Sequence, residues 1–530
     1  MKKILVCVLL LTLILSGCGS SENDTASETQ PQLAVTEGVQ INLTDDGITV
    51  DGEQITNDTA KAVYSANDIV FYLAGQDFTY GEGTQADAHE QSEADVHTVV
   101  HITKPGKYVV SGKLSAGQIA VDLGEDAETD PNAVVTLVLN GVDITCTVAP
   151  AVIFYNVYEC GDSDTETATK DVDTSAAGAN VVIADGTINN VNGSYVAKIY
   201  KSYELNEDGT EVVDSKKLHK YDAAFYSKKT INIDGGENGD GILNINAENE
   251  GLDSELHMTI NGGIINITAG NDGINTNEDY VSVTTINGGT VNILCNGSTG
   301  EGDGIDSNGW LVINGGTVNA QACATSGDAG IDSDMGIYIN GGSVVASGNM
   351  LDTIAGGNAT YAVFGFASSQ AGNGDYILKN DSGEIVGEYS PENAFTYLLI
   401  ADSALSAGNY TFYLGDSQLS AISAGNMNRP MGGQPGGQGA PQMPEGEVPQ
   451  MPDGEIPQMP EGEVPPMPDG EIPQMPEGEI PQMPEGEIPQ MHEGGMAPPE
   501  EGFNVGNGEP STTFVIKAGG NQFSDVKIAE

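Results

Sequence analysis

Ile313-Asn314-Gly315-Gly316 is one copy of a four-residue phrase that decides the fold. The other copies begin at Ile233, Ile260, Ile286 and Ile339, and the third residue of each copy is Gly. These glycines lie 27, 26, 27 and 26 residues apart. So narrow a period is typical of a stacked repeat protein, in which each repeat forms one coil and packs on its neighbours.

The residues after each Gly-Gly pair alternate between apolar and polar, as in Ile265-Asn266-Ile267 and Val291-Asn292-Ile293. A period of two is the pattern of a β-strand, and the 3.6-residue period of a helix is absent from these repeats. About 26 residues per coil, at roughly 3.3 Å each, suit three short strands and their bends. The sequence therefore predicts an all-β chain folded as a parallel β-helix, a solenoid of stacked coils.

A second phrase, of which Asp303-Gly304-Ile305-Asp306-Ser307 is one copy, also recurs in each coil. Stacking places the polar residue two positions after each Gly in an outward column, with neighbours about 4.8 Å apart. Two carboxylates at that distance repel by roughly 3 kcal/mol at an effective dielectric constant of 20. Such a column must protonate, spread apart or hold cations, and oxygen ligands at variable spacing suit Ca²⁺. The candidate calcium ligands are Glu250, Asp253, Glu255, Asp272, Asn275, Asn277, Asp303, Asp306, Asn308, Asp332 and Asp334.

The first residues have the pattern of an exported lipoprotein. Lys2-Lys3 precede an apolar run from Ile4 to Leu15, and Leu15-Ser16-Gly17-Cys18 matches a lipobox. The alternatives are an ordinary signal peptide or a membrane-spanning helix, but the apolar run is too short to span a bilayer. We expect a signal peptide over residues 1–17, a lipid on Cys18, and a location on the extracellular face of a bacterial cell membrane.

Composition divides the rest of the chain. Acidic insertions at Gly161 to Ala177 and Tyr200 to Leu218 are expected to loop out of the coils, and strands after the last coil should cap the solenoid. A Met-Pro-Glu-Gly-Glu-Ile-Pro-Gln octad repeats from Met443 to Met491 and predicts disorder. The expected parts are a tether over 18–32, an irregular β-rich region over 33–95, the coils with their cap over 96–425, the low-complexity segment over 426–510 and terminal strands over 511–530.

Charge and cysteine content limit the partners. Lys and Arg number 18 against 77 Asp and Glu, which gives a formal charge of −59. Nucleic acids are therefore excluded as direct partners unless cations intervene, and we expect a monomer. Export permits disulfides, but small buried thiols are the simpler expectation for Cys146, Cys160, Cys295 and Cys323, whose pairing stays open.

The chain resembles the clostridial carbohydrate-binding β-helix proteins, which are described as binding cellulose and acidic sugars and whose fold is similar to that of pectate lyases. The matching segments are Gly106 to Leu114, Leu137 to Ile144, Ala184 to Thr187 and Asp222 to Lys228, followed by the Asp-Gly-Ile and Asn-Gly-Gly coils. The resemblance covers roughly Val96 to Gly425. It implies a right-handed helix and calcium sites.

Cleavage of a polysaccharide is disfavoured by the residues of the regular coils. A lyase for acidic sugars needs a strong base, usually Lys or Arg, and neither occurs between Lys229 and Lys379. A glycosidase needs only two carboxyl groups, for which Asp303 and Asp306 are candidates, but that class also positions its substrate with His and Arg. The coils contain one His, His257, and no Arg.

Sugar recognition calls for an exposed aromatic face beside polar groups. Trp310, the only Trp, stands three residues before Ile313, as His257 stands three before Ile260. Both are predicted to project beside the acidic column, so the candidate carbohydrate-binding residues are Trp310, His257, Asp303 and Asp306. We expect non-catalytic, calcium-dependent binding of an acidic plant glycan such as polygalacturonate, or of cellulose. The alternatives are a surface adhesin or wall-spacing protein and, second, a β-helix glycosidase.

Overall fold

A computed structural model of the chain describes residues 37–426 and 508–529. The expected signal peptide, the lipid on Cys18, the tether and the octad repeats lie outside these residues, so they stay predictions. The described residues are almost entirely β-strand and turn, which confirms the all-β prediction. Within this part of the chain, no helix is long and apolar enough to cross a membrane.

Four short strands and one helical turn precede the coils. They are β1 (Val39–Leu43), β2 (Thr49–Val50), β3 (Glu53–Gln54), β4 (Val63–Ala66) and α1 (Gln91–Ala94). β1, β2 and β3 form an antiparallel meander. The apolar residues Ile41 and Leu43 of β1 are buried and join the core of the coils.

The coil region consists of short strands separated by turns, with one 3-10 turn at Glu125–Thr129. Its strands are β5 (Thr98–Ile102), β6 (Gly106–Leu114), β7 (Gly117–Asp122), β8 (Val135–Cys146), β9 (Val152–Asn156), β10 (Ala179–Ile183), β11 (Ile188–Gly193), β12 (Val196–Leu205), β13 (Val212–Tyr221), β14 (Ala223–Ser227), β15 (Ile231–Asp234), β16 (Ile242–Ala247), β17 (Glu250–Ser254), β18 (His257–Ile260), β19 (Ile264–Ala269), β20 (Ile274–Thr276), β21 (Val283–Ile286), β22 (Thr290–Cys295), β23 (Trp310–Ile313), β24 (Thr317–Gln321), β25 (Gly336–Ile339), β26 (Ser343–Gly348) and β27 (Ile354–Gly356).

Strands of successive coils pair in parallel and form three ladders. The first ladder contains β5, β7, β9, β14, β17 and β20. The second contains β10, β15, β18, β21, β23, β25 and β27. The third contains β11, β16, β19, β22, β24 and β26. The long strand β8 pairs with both β10 and β11, so the second and third ladders join on it. On its other edge β8 pairs in parallel with β6, and β6 pairs in parallel with β1.

The isoleucine of each Asn-Gly-Gly phrase stacks in register along the second ladder. Ile260 pairs with Ile286, Ile286 with Ile313, and Ile313 with Ile339. All four side chains are buried in one core that runs through the coils. Burying each such side chain contributes about 1.5–3 kcal/mol relative to leaving it exposed, so the repeat is stabilised at every coil by the same contact.

The two glycines of the phrase are needed for different reasons. The second adopts a left-handed backbone, with φ of +82° at Gly289 and +81° at Gly316, which L side chains rarely adopt. The first lies against the coil before it, since a Cβ on Gly315 would stand 2.6 Å from the carbonyl oxygen of Asn287. The pair therefore lets the chain turn and lets neighbouring coils approach.

Both insertions leave the ladders, as expected, and then pack back against the coils. In the first insertion, Thr174 Oγ1 lies 2.8 Å from Thr259 Oγ1 of β18. The second insertion forms the antiparallel hairpin β12–β13, and Lys217 Nζ lies 2.8 Å from Glu255 Oε1. Each insertion returns because its polar groups find hydrogen-bond or charge partners on the strands.

The coils end on a mixed sheet with an aromatic core of its own. Its strands are β28 (Tyr361–Gln370), β29 (Tyr376–Asn380), β30 (Ile385–Tyr389), β31 (Phe395–Ala401), β32 (Gly408–Leu414), β33 (Ser417–Asn426), β34 (Phe514–Ile516) and β35 (Gly520–Ile528). β31 pairs antiparallel with β26 and so covers the open edge of the third ladder. Phe364, Phe412, Phe514 and Phe523 pack together beneath these strands.

The cysteines of the described residues are thiols. None of the four forms a disulfide. Cys146, Cys295 and Cys323 are buried, as expected for small core residues, whereas Cys160 is half-buried. Burial raises the pKa of Cys146 to about 12, which makes this thiol a weak nucleophile.

Candidate functional site

The first ladder carries a group of carboxylates at β14 and β17, which we call the buried cluster: Asp222, Glu250 and Asp253. Leu252 of β17 points into the core, and alternation sends the next residue, Asp253, to the other side of the strand. One ligand oxygen from each of the three carboxylates lies within 4.8 Å of the other two. All three side chains are buried, and Asp253 has no exposed surface.

Burial and mutual repulsion act together in this cluster. Loss of solvent raises the pKa of Glu250 well above its usual range, and the neighbouring charges of Asp253 and Asp222 raise it further. The pKa of Asp253 is raised for the same two reasons, with Glu255 as its strongest charged neighbour. Burial and repulsion therefore both favour the protonated form of Glu250 and Asp253.

Two oxygens of the site have no partner among the described residues. They are Glu250 Oε2 and Asn275 Oδ1, both buried. Asn275 follows Asp253 along the ladder, and its Nδ2 donates to Glu250 Oε1 at 3.3 Å. A buried oxygen without a hydrogen-bond donor is costly, and a proton on the carboxyl group or a cation beside it would reduce that cost. Three carboxylates and one amide oxygen are a ligand set that fits Ca²⁺.

A lysine from the hairpin lies beside the cluster. Lys220 Nζ is 2.8 Å from Asp222 Oδ2. Burial alone would lower the pKa of Lys220, but the charge and the hydrogen bond of Asp222 outweigh it and raise the pKa overall. Lys220 is therefore a counter-ion that stays protonated, and one ammonium offsets only part of the charge of three carboxylates.

Further carboxylates continue from the cluster along the coils, and together with it they form what we call the acidic line. The added members are Asp272, Asp303, Asp306, Asp332 and Asp352. The Asp303 N–H donates to Asp272 Oδ1 at 2.7 Å, and the Ala329 N–H donates to Asp303 Oδ1 at 2.5 Å. Asp272 and Asp303 thus each accept from the backbone of the following coil, which fixes their positions.

The pKa values along the line are raised chiefly by burial. Asp303 reaches about 9, with added repulsion from Asp332 and Asp272. Asp272 and Asp306 reach about 7, and so does Asp352, whose Oδ2 is a further buried oxygen without a partner among the described residues. Asp303, Asp306 and Asp332 are only half-buried, so this part of the line reaches solvent.

The structure uses some predicted calcium ligands in other ways. Glu255 binds Lys217 and accepts from Tyr226 Oη at 2.5 Å. Asn277 Nδ2 donates to both oxygens of Asp253, at 3.0 and 3.1 Å. Asn308 Nδ2 donates to Asp279 Oδ1 at 2.9 Å. Asp334 is exposed.

The outward column is buried at its first two members. Asp253 and Asn275 are buried, because Asn277 and Asp222 lie against Asp253. The direction of the side chains follows from strand alternation, but side chains from adjacent segments cover them.

The predicted carbohydrate-binding residues do not share one site. Trp310 and His257 begin strands of the second ladder, whereas Asp303 and Asp306 belong to the acidic line on the other side of a turn. Trp310 is half-buried. His257 is buried, its Nδ1 accepts from the Val283 N–H at 3.1 Å, and burial lowers its pKa to about 4.

Sequence reasoning missed Asp222 and Lys220. Both lie where the hairpin rejoins the coils, before the Asp-Gly-Ile repeats begin. One signal was present: Ala223 aligns with Glu250 in the ladder, so Asp222 falls at the position before a repeat carboxylate. The approach of Lys220 depends on the path of the hairpin, which no local pattern encodes.

The fold and site define a β-rich repeat protein of stacked ladders with a line of carboxylates. A family model described as "Carbohydrate-binding domain-containing protein" matches residues 96–370, just over half of the chain. The chain therefore belongs to this carbohydrate-binding domain family. That match confirms the carbohydrate-binding part of the resemblance.

Two comparisons with individual proteins accompany the family match. A carbohydrate-binding domain-containing protein from Acetivibrio thermocellus is 31% identical over 165 residues, which is 31% of this chain; the chain covers 43% of that relative. A solved structure described as a polysaccharide lyase-like protein from C. thermocellum, gadolinium derivative, is 20% identical and has a TM-score of 0.29. The match covers 58% of this chain and 93% of the other. So low a TM-score does not decide the fold.

Proposed function

We propose that this protein binds acidic polysaccharide through calcium ions on the acidic line and does not cleave it. The three ladders would be the faces of a right-handed parallel β-helix. The observation that carries the proposal is the buried cluster, where Glu250 Oε2 and Asn275 Oδ1 have no hydrogen-bond partner among the described residues. Polygalacturonate is the ligand class that this chemistry fits best, because its carboxylates can share cations with the protein.

Calcium in the buried cluster would have a structural role. Asp222, Glu250 and Asp253 would supply carboxylate oxygens and Asn275 its amide oxygen. Two carboxylates within 4.8 Å of each other repel by about 3 kcal/mol or more at an effective dielectric constant of 20, and a divalent cation would replace that repulsion by attraction. Because these residues are buried, an ion here has little room for a sugar.

The half-buried part of the line is the better place for ligand contact. Asp303, Asp306 and Asp332 reach solvent, and backbone hydrogen bonds leave one oxygen of Asp303 available for a further partner. Ca²⁺ accepts six to eight oxygens in flexible geometry, so an ion on these residues can keep positions for a uronate carboxylate. A chain of charge −59 repels a polyanion, and the bridging ion reverses the sign of that interaction.

Binding without cleavage is supported by the ion pairs of the nearby basic side chains. Lys220 pairs with Asp222 and Lys217 with Glu255, so these ammonium groups are poorly placed to abstract a proton. The neutral imidazole of His257 lies in the second ladder, away from the line. Release of unsaturated sugars or new reducing ends from polygalacturonate would establish a lyase or a glycosidase instead.

The cell-surface part of the proposal rests on the lipobox. Cys18 would carry a diacylglycerol anchor on the outer face of a bacterial cell membrane. Metabolic labelling with a palmitate analogue should mark the chain, and Cys18→Ser should abolish the label and release the protein. A labelled Cys18→Ser chain would contradict the anchor.

The test of binding uses the full chain and immobilised polygalacturonate. We expect retention in Ca²⁺, loss in excess chelator, and loss in the double variant Asp303→Asn, Asp306→Asn. The matched control is Asp234→Asn, a half-buried carboxylate at the end of β15. Retention in chelator would refute cation bridging, and failure to bind any polysaccharide in saturating Ca²⁺ would favour the adhesin.

A further inference from the structure

A groove on the second ladder forms a second binding surface, distinct from the acidic line. Its floor is the outer face of β15, β18, β21, β23 and β25, and its wall is the first insertion, at residues 170–175. The cavity measures about 500 Å³. We call it the asparagine groove after four residues of its floor: Asn261, Asn287, Asn314 and Asn340.

The wall of the groove is held at both ends. Near β15 and β18, Asn232 Nδ2 donates to the Thr174 carbonyl oxygen at 2.8 Å, and Thr174 Oγ1 lies 2.8 Å from Thr259 Oγ1. Toward β25, Lys170 Nζ lies 5.2 Å from the centre of the Tyr338 ring. The groove therefore exists before a ligand arrives, which lowers the entropy that binding must overcome.

The floor presents an ordered row of amides. Asn287 Nδ2 donates to Asn261 Oδ1 at 2.9 Å, Asn314 to Asn287 at 2.9 Å, and Asn340 to Asn314 at 2.8 Å. An amide has two N–H donors and an oxygen with two lone pairs, so the ladder uses half of each. All four side chains are exposed, so one donor and one acceptor site of each inner amide remain for a partner outside the ladder.

This row is complementary to vicinal hydroxyl groups. A donor and an acceptor side by side can bind two neighbouring sugar hydroxyls, and the row repeats about every 4.8 Å, close to the advance of one pyranose unit in an extended chain. The floor bears no charge. Because Val312 and Thr259 of the floor are buried, the amides and Thr285 supply most of the surface that a sugar can contact.

The charged side chains of the wall indicate which polysaccharides the groove would repel. Lys170 pairs with Asp171 at 2.6 Å, which leaves the carboxylate of Asp173 in excess, so a uronate chain would be repelled. From this geometry we infer that the asparagine groove binds an uncharged, linear, hydroxyl-rich polysaccharide and needs no metal ion. Trp310, two residues before Val312 and in the same strand, lies at the margin of this surface. The inference rests on the proposed function and adds a second site to it.

The test compares two asparagine ladders of equal length. The groove variant is Asn287→Leu, Asn314→Leu. The control is Asn244→Leu, Asn266→Leu. It removes the same number of hydrogen bonds from a second row of asparagines, which lies on the third ladder of strands and consists of Asn190, Asn244, Asn266 and Asn292. The probes are a soluble β-1,4-linked gluco-oligosaccharide and polygalacturonate, each measured by calorimetry on the full chain.

We expect the groove variant to weaken gluco-oligosaccharide binding by about tenfold or more, with or without chelator, and to leave calcium-dependent polygalacturonate binding unchanged. The control should bind both probes as the wild type does. Thr285→Arg crowds the floor without removing a hydrogen bond between the asparagines, and it should also weaken gluco-oligosaccharide binding. This variant replaces the double variant in the test if the double variant does not fold.

The outcomes separate the two proposals. Wild-type binding of polygalacturonate without any binding of the gluco-oligosaccharide would overturn the groove alone. Equal loss in the groove and control variants would show that the ladder is only structural. If the wild type binds the gluco-oligosaccharide but not polygalacturonate, the acidic-line proposal fails and the groove stands.

Discussion

The acidic line and the asparagine ladders both arise from stacked repeats, but they differ in whether their side chains satisfy one another's hydrogen bonds. In both, stacking repeats one polar side chain at every coil. An asparagine donates to the residue before it and accepts from the residue after it, so Asn261, Asn287 and Asn314 satisfy one another. A carboxylate only accepts, so the stacked Asp272 and Asp303 repel each other, and Glu250 Oε2 in the buried cluster has no hydrogen-bond partner among the described residues. A column of amides is complete by itself, whereas a column of carboxylates needs protons or cations.

The largest expected difference between the two regions is the response to chelation. Binding of Ca²⁺ at a thousandfold excess over its dissociation constant would stabilise the fold by about 4 kcal/mol, which corresponds to a rise in melting temperature of about 5 °C for a chain of this size. Calorimetry in Ca²⁺ and in chelator measures this shift. An unchanged transition would remove calcium from the account.

The second prediction is that Asp253→Asn changes the stability of the fold in opposite directions with and without calcium. In chelator, Asp253→Asn removes a buried repulsion and should raise the melting temperature. In Ca²⁺ the same change removes a ligand and should lower stability by about 3 kcal/mol. Asp234→Asn, outside the cluster, should shift neither transition. Destabilisation of similar size in both conditions would mean that Asp253 is needed for packing and not for a cation.

The third prediction concerns pH without calcium. The folded pKa values of Asp272 and Asp306 are about 7 and that of Asp303 about 9, against an ordinary value near 3.8. The folded protein therefore binds more protons than the unfolded chain, and stability falls as pH rises from about 4 through 9. Melting temperatures in chelator should decrease over that range, and Ca²⁺ should suppress the decrease. Rising stability over the range would contradict the raised pKa values.

The smallest loss of stability is expected for a change in the row of asparagines on the third ladder of strands. Asn266→Ala removes the hydrogen bonds to Asn244 and from Asn292, each worth about 1 kcal/mol. The loss should be the same in Ca²⁺ and in chelator, as read from denaturant unfolding. A loss that depends on calcium would show that the two kinds of column are coupled.

The repeats predict the ladders because each residue at a given place in the period meets its own copy. The stacking of Ile260, Ile286 and Ile313 and the position of Asp253 beside Asn275 follow from spacing alone. The cap strands expected after the last coil are also present, and they include Tyr361–Gln370, Tyr376–Asn380 and Gly408–Leu414.

The insertions could not be placed in this way. The hairpin β12–β13 brings Lys220 to Asp222, and residues 170–175 form the wall of the asparagine groove. These contacts join segments that share no period, so they depend on tertiary packing that the sequence pattern does not express. The burial of Asp253 has the same origin.

The most direct test of the account is to locate calcium in crystals of the full chain by anomalous scattering. The account predicts a peak in the buried cluster, about 2.3–2.6 Å from oxygens of Asp222, Glu250, Asp253 and Asn275, with weaker peaks along Asp303 and Asp306. Crystals grown in saturating Ca²⁺ that show no peak in the cluster, with Lys220 still bound to Asp222, would contradict it.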